Sequence, residues 1–191
     1  MSGLTPEVAR RVGAVLLDAD GVMTDGGLYF FAGSGGESEG RWFHVHDGIA
    51  VHMLLKADIP VAIVSGKISA PVRQRARSLG ITELHQVDPR GKLGAVEGIL
   101  ARAGVAWEDA AFLGDDLADL PVMRKVGLPA AVANAVPEVK AAAIWCGETE
   151  GGRGAVREFA EALLRARGEW SDLVEEYVEK CLADWESQNR E

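Results

Sequence analysis

Short apolar runs recur along the chain, with amphipathic stretches between them. Residues 12–17, 60–64, 110–113 and 128–133 are continuously apolar rather than alternating, the pattern of strands covered on both faces. Between them Ile49, Met53 and Leu54, then Val72, Ala76 and Leu79, then Leu93, Val96 and Leu100, then Leu120 and Met123 fall on helical spacing. Strands alternating with helices predict a parallel sheet. The fold class expected is α/β, a doubly wound parallel sheet, and such sheets bind ligands at the carboxyl ends of their strands.

One stretch interrupts this rhythm. Leu28-Tyr29-Phe30-Phe31, a Gly/Ser-rich tip at 32–36 and Arg41-Trp42-Phe43-His44-Val45 read as a β-hairpin inserted at about 27–46, directly after the first strand. Its aromatic face and open edges predict burial against another subunit. Gly151-Gly152-Arg153-Gly154 precedes a helix expected at 155–167 and broken at Gly168. Beyond it Trp170, Leu173, Val174, Tyr177, Val178, Cys181, Leu182 and Trp185 recur at helical spacing. That stripe fits a helix packed on its own domain or one docked on a neighbour. The organisation expected is one domain over 1–168 and a helical tail over 169–191.

Composition narrows the function classes. A chain of 191 residues, 48% hydrophobic and 26% charged, supports one well-cored domain. With 29 acidic against 20 basic side chains the net charge is -9, which opposes sequence-independent nucleic-acid binding. No apolar run is long enough to span a bilayer. The opening MSGLTPEVARR has no apolar secretory core, and Cys146 and Cys181 form no CxxC pattern, so a cytoplasmic location is expected. Both thiols read as inert small hydrophobes. The five tryptophans are scattered and read as core or interface residues.

Chemistry concentrates at the strand ends. Asp18-Ala19-Asp20-Gly21 closes the first strand with two carboxylates. Asp and Gly also form turns, but this much negative charge suits a hard divalent cation, and Mg²⁺ takes few carboxylates beside water and phosphate oxygens. Ser65-Gly66 ends the strand at 60–64, where a hydroxyl and N–H groups can hold phosphate oxygens. Lys92 opens a helix, and Gly114-Asp115-Asp116-Leu117-Ala118-Asp119 brings a second acidic group to the same edge. Singly these are a helix cap, a solvated lysine and an N-cap pair; together they form an anion-handling site. His44 and His46, two apart on a presumed strand, share a face but lack a third metal ligand.

In these four motifs the chain resembles the haloacid dehalogenase superfamily of phosphatases, along nearly its whole length. Met23-Thr24-Asp25-Gly26, Phe43-His44-Val45-His46-Asp47-Gly48 and Gly151-Gly152-Arg153-Gly154-Ala155-Val156-Arg157-Glu158 further resemble its capless subfamily acting on 3-deoxy-ulosonic acid phosphates. The resemblance implies a Mg²⁺-dependent phosphatase without a cap domain, in which Asp18 is the nucleophile and Asp20 the general acid and base. It assigns the metal to Asp18, the Asp20 carbonyl and Asp115, with Asp116 and Asp119 behind them. The phosphate falls to Ser65, Gly66 and Lys92. It implies a homotetramer joined through the hairpins, with a small sugar-acid phosphate as ligand and neither nucleic acid nor membrane as partner.

The sugar is less sharply specified. Asp47, Lys67 and Arg153 are the candidates to meet its carboxylate and hydroxyls, and the eight-carbon octulosonate 8-phosphate is the expected substrate. Lys67 and His46 stand where the subfamily usually carries arginine, and lysine lacks the bidentate fork. That keeps a nine-carbon nonulosonate 9-phosphate, or a broader set of sugar phosphates, in view. A receiver-like signalling module would also combine aspartates with a lysine, but there the lysine follows the last motif strand, whereas Lys92 precedes Asp115. A catalytically idle assembly subunit is opposed by the presence of every catalytic residue type.

Overall fold

The computed structural model describes residues 4–33 and 36–189. The chain runs α1 (Pro6–Arg11), β1 (Ala14–Leu17), β2 (Tyr29–Gly33), β3 (Gly36–Gly40), α2 (His46–Lys56), β4 (Val61–Ser65), α3 (Ala70–Ser78) and β5 (Glu83–Gln86). It continues through α4 (Lys92–Ala103), β6 (Ala110–Gly114), α5 (Leu120–Met123), β7 (Leu128–Ala131), α6 (Pro137–Ala142), β8 (Trp145–Cys146), α7 (Ala155–Arg167) and α8 (Trp170–Gln188).

Six strands form one parallel sheet in the order β5-β4-β1-β6-β7-β8. β1, β4, β6 and β7 are buried along their length, as their unbroken apolar runs require. Leu16, Ile63, Phe112 and Leu163 are among the fully buried side chains that fill the core. α1, α2, α7 and α8 pack with one another, and α4, α5 and α6 form a second group. The strand order reverses between β1, which continues to β4, and β6, which continues to β7. This switch point opens a crevice at the carboxyl ends of β1 and β6. No cap domain is present among the described residues.

The hairpin exists, but with a different second arm from the one the aromatic pattern suggested. β2 pairs antiparallel with Gly36–Gly40, Tyr29 opposite Gly40 and Phe31 opposite Ser38. The pairing of Gly33 with Gly36 closes this register; Gly36 sits at φ +104, and residues 34 and 35 of the expected tip lie outside the described residues. Residues 41–45 instead link the hairpin to α2, with a single bridge from Phe43 to Thr24. His44 and His46 therefore share no strand face; His46 starts α2, and the two rings meet edge to face at 4.7 Å.

Short elements escaped the periodicity: β5 is a half-buried edge strand and β8 has two residues. α7 ends at the left-handed Gly168, as expected. The first turns of α8 pack on the domain through Trp170 and Leu173, whereas Val178, Leu182 and Trp185 face outward. Cys146 and Cys181 are exposed rather than packed, and Trp42 is exposed as well. No described helix is long and apolar enough to cross a membrane.

Candidate active site

β1 delivers Asp18 to the crevice. Its backbone N–H donates to Leu113 O across the β1–β6 ladder (3.0 Å), so the carboxylate position is set by the sheet itself. The chain then turns sharply. Thr24, fully buried, ties the turn together: its Oγ1 accepts from the N–H groups of Gly21 (3.3 Å) and Gly26 (3.2 Å). Gly21 sits at φ +98, and a Cβ there would lie 2.0 Å from Asp115 Oδ2. Only glycine admits both the backbone conformation and the second acidic strand end.

The loop 151–154 clamps this turn from outside. Gly151 N–H donates to Asn134 Oδ1 (2.8 Å) and Gly152 N–H to Val22 O (3.1 Å). A Cβ on Gly151 would fall 1.8 Å from Gly21 O, so the approach is backbone against backbone.

Lys92, at the first turn of α4, is 3% exposed and donates to Asp18 Oδ1 (2.6 Å) and Asp119 Oδ1 (2.7 Å). Asp119 Oδ2 accepts from the N–H groups of Asp115 (3.0 Å) and Asp116 (3.3 Å). Both Asp119 oxygens are thus engaged, which makes it the brace of the cluster. Asp116 caps the following turn through Leu117 N–H (2.7 Å) and is exposed.

The electrostatics are those of crowded anions. Burial, then Asp119, pushes the Asp18 carboxyl up to about 7, with Lys92 pulling the other way. Burial, then Asp18 and Asp119, raises Asp115 to about 8. Burial alone would favour the neutral amine of Lys92, but the pull of Asp18 and Asp119 outweighs it and raises the ammonium. One ammonium cannot offset three carboxylates in a low-dielectric crevice. Oxygens of Asp18, Asp115 and Asp119 all lie within 4.8 Å of one another. A hard divalent cation fits this all-oxygen donor set, and with Asp119 braced, Asp18 and Asp115 are the side chains available to it.

A cavity of about 320 Å³ opens over the cluster, lined by Asp18, Asp20, Gly66, Lys67, Lys92 and Asp115 among others. Asp20 faces it with its Oδ1 held by Arg41 Nε (2.5 Å). Ser65 is fully buried at the end of β4; its hydroxyl accepts from Lys67 N–H (3.2 Å) and donates to Lys67 O (3.1 Å). The backbone of Gly66 is therefore the open part of that motif. Lys67 reaches the cavity and pairs with Glu39 (3.0 Å).

Two expected sugar contacts sit elsewhere. Asp47 is 2% exposed, and its Oδ1 accepts from Arg157 N–H (3.0 Å). It caps α7, whose own cap position is Gly154 and has no side chain to offer. Burial pushes its carboxyl up to about 6. Arg153 lines a separate hollow of about 470 Å³ with His46, Arg157 and Arg165. That hollow is larger, but Arg157 and Arg165 are paired with Glu161 and lie over the Trp170 ring. The chemistry lies in the smaller cavity.

Glu39 and Asn134 were not singled out in the sequence; Thr24 was read only within the Met23-Thr24-Asp25-Gly26 motif and Arg41 only within the hairpin, neither with a role in the site. Thr24 and Asn134 act by accepting from backbone N–H groups of turns, a role that their residue types alone do not mark. The alternating charges of Glu39 and Arg41 were the one available sign, but they resemble any solvated strand end.

The comparisons agree with this architecture. Residues 90–158 match the family model described as haloacid dehalogenase-like hydrolase. The chain is 43% identical over 160 residues, 84% of its length and 83% of the relative's, to 3-deoxy-D-manno-octulosonate 8-phosphate phosphatase KdsC of Escherichia coli. The chain is a haloacid dehalogenase-like hydrolase. Among solved structures of these hydrolases it is similar to the 3-deoxy-D-manno-octulosonate 8-phosphate phosphatase of Yersinia pestis. That match has a TM-score of 0.81 and 39% identity, and covers 87% of this chain and 88% of that one. The Moraxella catarrhalis phosphatase of the same name, solved with magnesium, phosphate and KDO, gives a TM-score of 0.85 at 31% identity, covering 93% and 99%. With relatives at 43% and 39% identity named as phosphatases, the chain is a phosphatase of this family.

Proposed function

We propose that this hydrolase removes phosphate from a 3-deoxy-ulosonic acid phosphate, converting 3-deoxy-D-manno-octulosonate 8-phosphate to the free sugar acid. The observation that carries the chemistry is Lys92 Nζ lying 2.6 Å from Asp18 and 2.7 Å from Asp119, beside Asp115. The substrate rests on the relatives, which bear that activity in their names.

Asp18 attacks phosphorus in line; a bond from its carboxylate to phosphorus forms as the bond to the sugar oxygen breaks. Asp20 delivers its proton to that leaving oxygen. It then takes a proton from the water that attacks the aspartyl-phosphate, releasing inorganic phosphate and restoring Asp18. Lys92 and the Gly66 N–H hold the equatorial phosphate oxygens, and Ser65 joins them by exchanging its bond to Lys67 O. Asp18, the Asp20 carbonyl and Asp115 would hold Mg²⁺, which would supply positive charge to offset the repulsion of the two anions. Asp116 and Asp119 orient this group. Lys67 is the side chain in the cavity suited to the sugar-acid end; Arg153 and Asp47 reach a sugar only from another subunit or not at all.

The assembly proposed is a homotetramer in which hairpins cover one another, supported by Phe30 at 70% and Phe31 at 59% exposure. We place the enzyme in the cytoplasm, where a soluble sugar-phosphate substrate is found. Asp18→Asn abolishes turnover of p-nitrophenyl phosphate on this reading; retained turnover rejects the nucleophile. A comparison of kcat/KM on eight- and nine-carbon ulosonate phosphates tests the sugar. The second reading, a nonulosonate 9-phosphate phosphatase, draws on Lys67 being tied to Glu39 rather than free in the cavity.

A further inference from the structure

We infer that Arg41, at the foot of the hairpin, is a positioning residue for Asp20, and that Glu39 and Lys67 hold it in place. The proposal rests on the reading of Asp20 as general acid and base. Its basis is a chain of alternating charges that crosses three segments. Lys67, just past β4, donates to Glu39 Oε1 (3.0 Å). Glu39, on β3, forms an ion pair with Arg41. Arg41 donates through Nε to Asp20 Oδ1 (2.5 Å) and through Nη1 to its neighbour Gly40 O (3.1 Å).

The Arg41 side chain is fully covered, whereas that of Asp20 remains a quarter exposed toward the cavity. A covered guanidinium with rigid fork geometry fixes a carboxylate orientation better than solvent does. With Oδ1 accepting from Arg41, the other Asp20 oxygen is left to carry the transferable proton toward the leaving oxygen. Glu39 pairs with the guanidinium and is itself tied to Lys67, so the fork is held in the orientation that meets Asp20. The hairpin thereby reaches into the reaction itself, beyond its exposed apolar face.

Leaving-group dependence reads this role. A sugar or glycerol phosphate expels an alkoxide that needs a proton, whereas p-nitrophenyl phosphate expels a phenolate that leaves without one. Since kcat/KM reports steps up to expulsion of the leaving group, it isolates the acid step from the later hydrolysis. Arg41→Met lowers kcat/KM on the alkyl phosphate about 30- to 100-fold and on the aryl phosphate less than about threefold, within the range of general acid catalysis. Arg41→Lys restores part of the alkyl loss, and Glu39→Gln shows a smaller split of the same sign. Equal losses on both substrates, or none on either, overturn the proposal. If Arg41→Met fails to fold, Arg41→Lys and Glu39→Gln are judged by the same ratio. Asp20→Asn is measured alongside. A variant of Asp20 without the split refutes the acid/base reading, whereas a split for Asp20→Asn with none for Arg41 refutes only the role of Arg41.

Discussion

At the rim of the sheet, Asp18, Lys92 and Asp119 are each at most 5% exposed and bound to one another. In the hairpin that follows β1, Leu28, Phe30 and Phe31 are between 52% and 70% exposed. The rim buries charge, joining Asp18 and Asp119 through Lys92 and leaving negative charge in excess for a cation; the hairpin leaves apolar area in water, which costs roughly 25 cal/mol per Å² until something covers it. The contrast separates two kinds of dependence. On the proposed mechanism, phosphoryl transfer relies on groups of this chain together with the cation they would hold. On the proposed assembly, shape and cover around the sugar rely on further copies of the chain.

The largest effect expected lies in the rim. Asp18→Asn lowers kcat on p-nitrophenyl phosphate by at least about 10⁴-fold, and Lys92→Met by about 10³-fold, measured by steady-state assay with circular dichroism to confirm the fold. Either variant retaining near-normal turnover breaks the claim that the rim is self-contained. Next, Phe30→Ser with Phe31→Ser yields a smaller species in sedimentation velocity. Its kcat/KM on p-nitrophenyl phosphate stays within about threefold of the parent, while that on the ulosonate phosphate drops by about tenfold or more. Equal loss on both would show that the exposed aromatic face, and not only Arg41 at the foot of the hairpin, supports the rim, and would erase the distinction.

Metal addition sharpens the comparison by thermal melting. Asp18 and Asp115, held up to about 7 and about 8, must lose their protons to ligate, so Mg²⁺ binds better as pH rises. Saturating Mg²⁺ raises Tm by about 5–10 °C at pH 8 and by less at pH 6, and EDTA reverses the gain. A gain independent of pH would detach the ion from these carboxylates.

The smallest effect concerns Asp47, away from both regions. Its folded-state value of about 6 exceeds the ordinary carboxylate value, so the folded state holds a proton more tightly than the unfolded chain. Stability from this group is therefore present below about pH 4 and lost as pH rises through 6. Asp47→Asn keeps an acceptor for Arg157 N–H and removes the titration. Relative to the parent, the variant gains stability on the order of 2 kcal/mol between pH 4 and pH 8, read from urea melts at each pH.

What the sequence disclosed follows the same divide. Uninterrupted apolar strands and carboxylates at their ends are local patterns, so β1, β4, β6 and β7 and the residues Asp18, Lys92 and Asp115 could be read directly. Their convergence needed only the doubly wound rule. The hairpin register was not legible, because Trp42 and Phe43 look like strand residues while Gly36–Gly40 do not. The strand that pairs, Gly36–Gly40, is the segment next in sequence to β2 and not the more apolar one. The surroundings of Asp47 and Arg153 were not legible for a related reason: a carboxylate capping a helix 110 positions away and an arginine lining a separate hollow are set by tertiary packing. Arg41 was missed because its partner Asp20 lies 21 positions earlier and nothing periodic links them.

The grip of residues 151–154 on the turn after β1 bears on biosynthesis. Gly152 N–H meets Val22 O, and Gly151 lies against Gly21, so the first strand's business end is finished only by a segment translated long afterward. A nascent chain that has emerged as far as Asp119 already owns its nucleophile and lysine, with the turn tied by Thr24 but not yet clamped from outside. Full activity is therefore expected only once the segment leading into α7 has cleared the exit tunnel, and fragments ending before Gly151 should turn over p-nitrophenyl phosphate poorly.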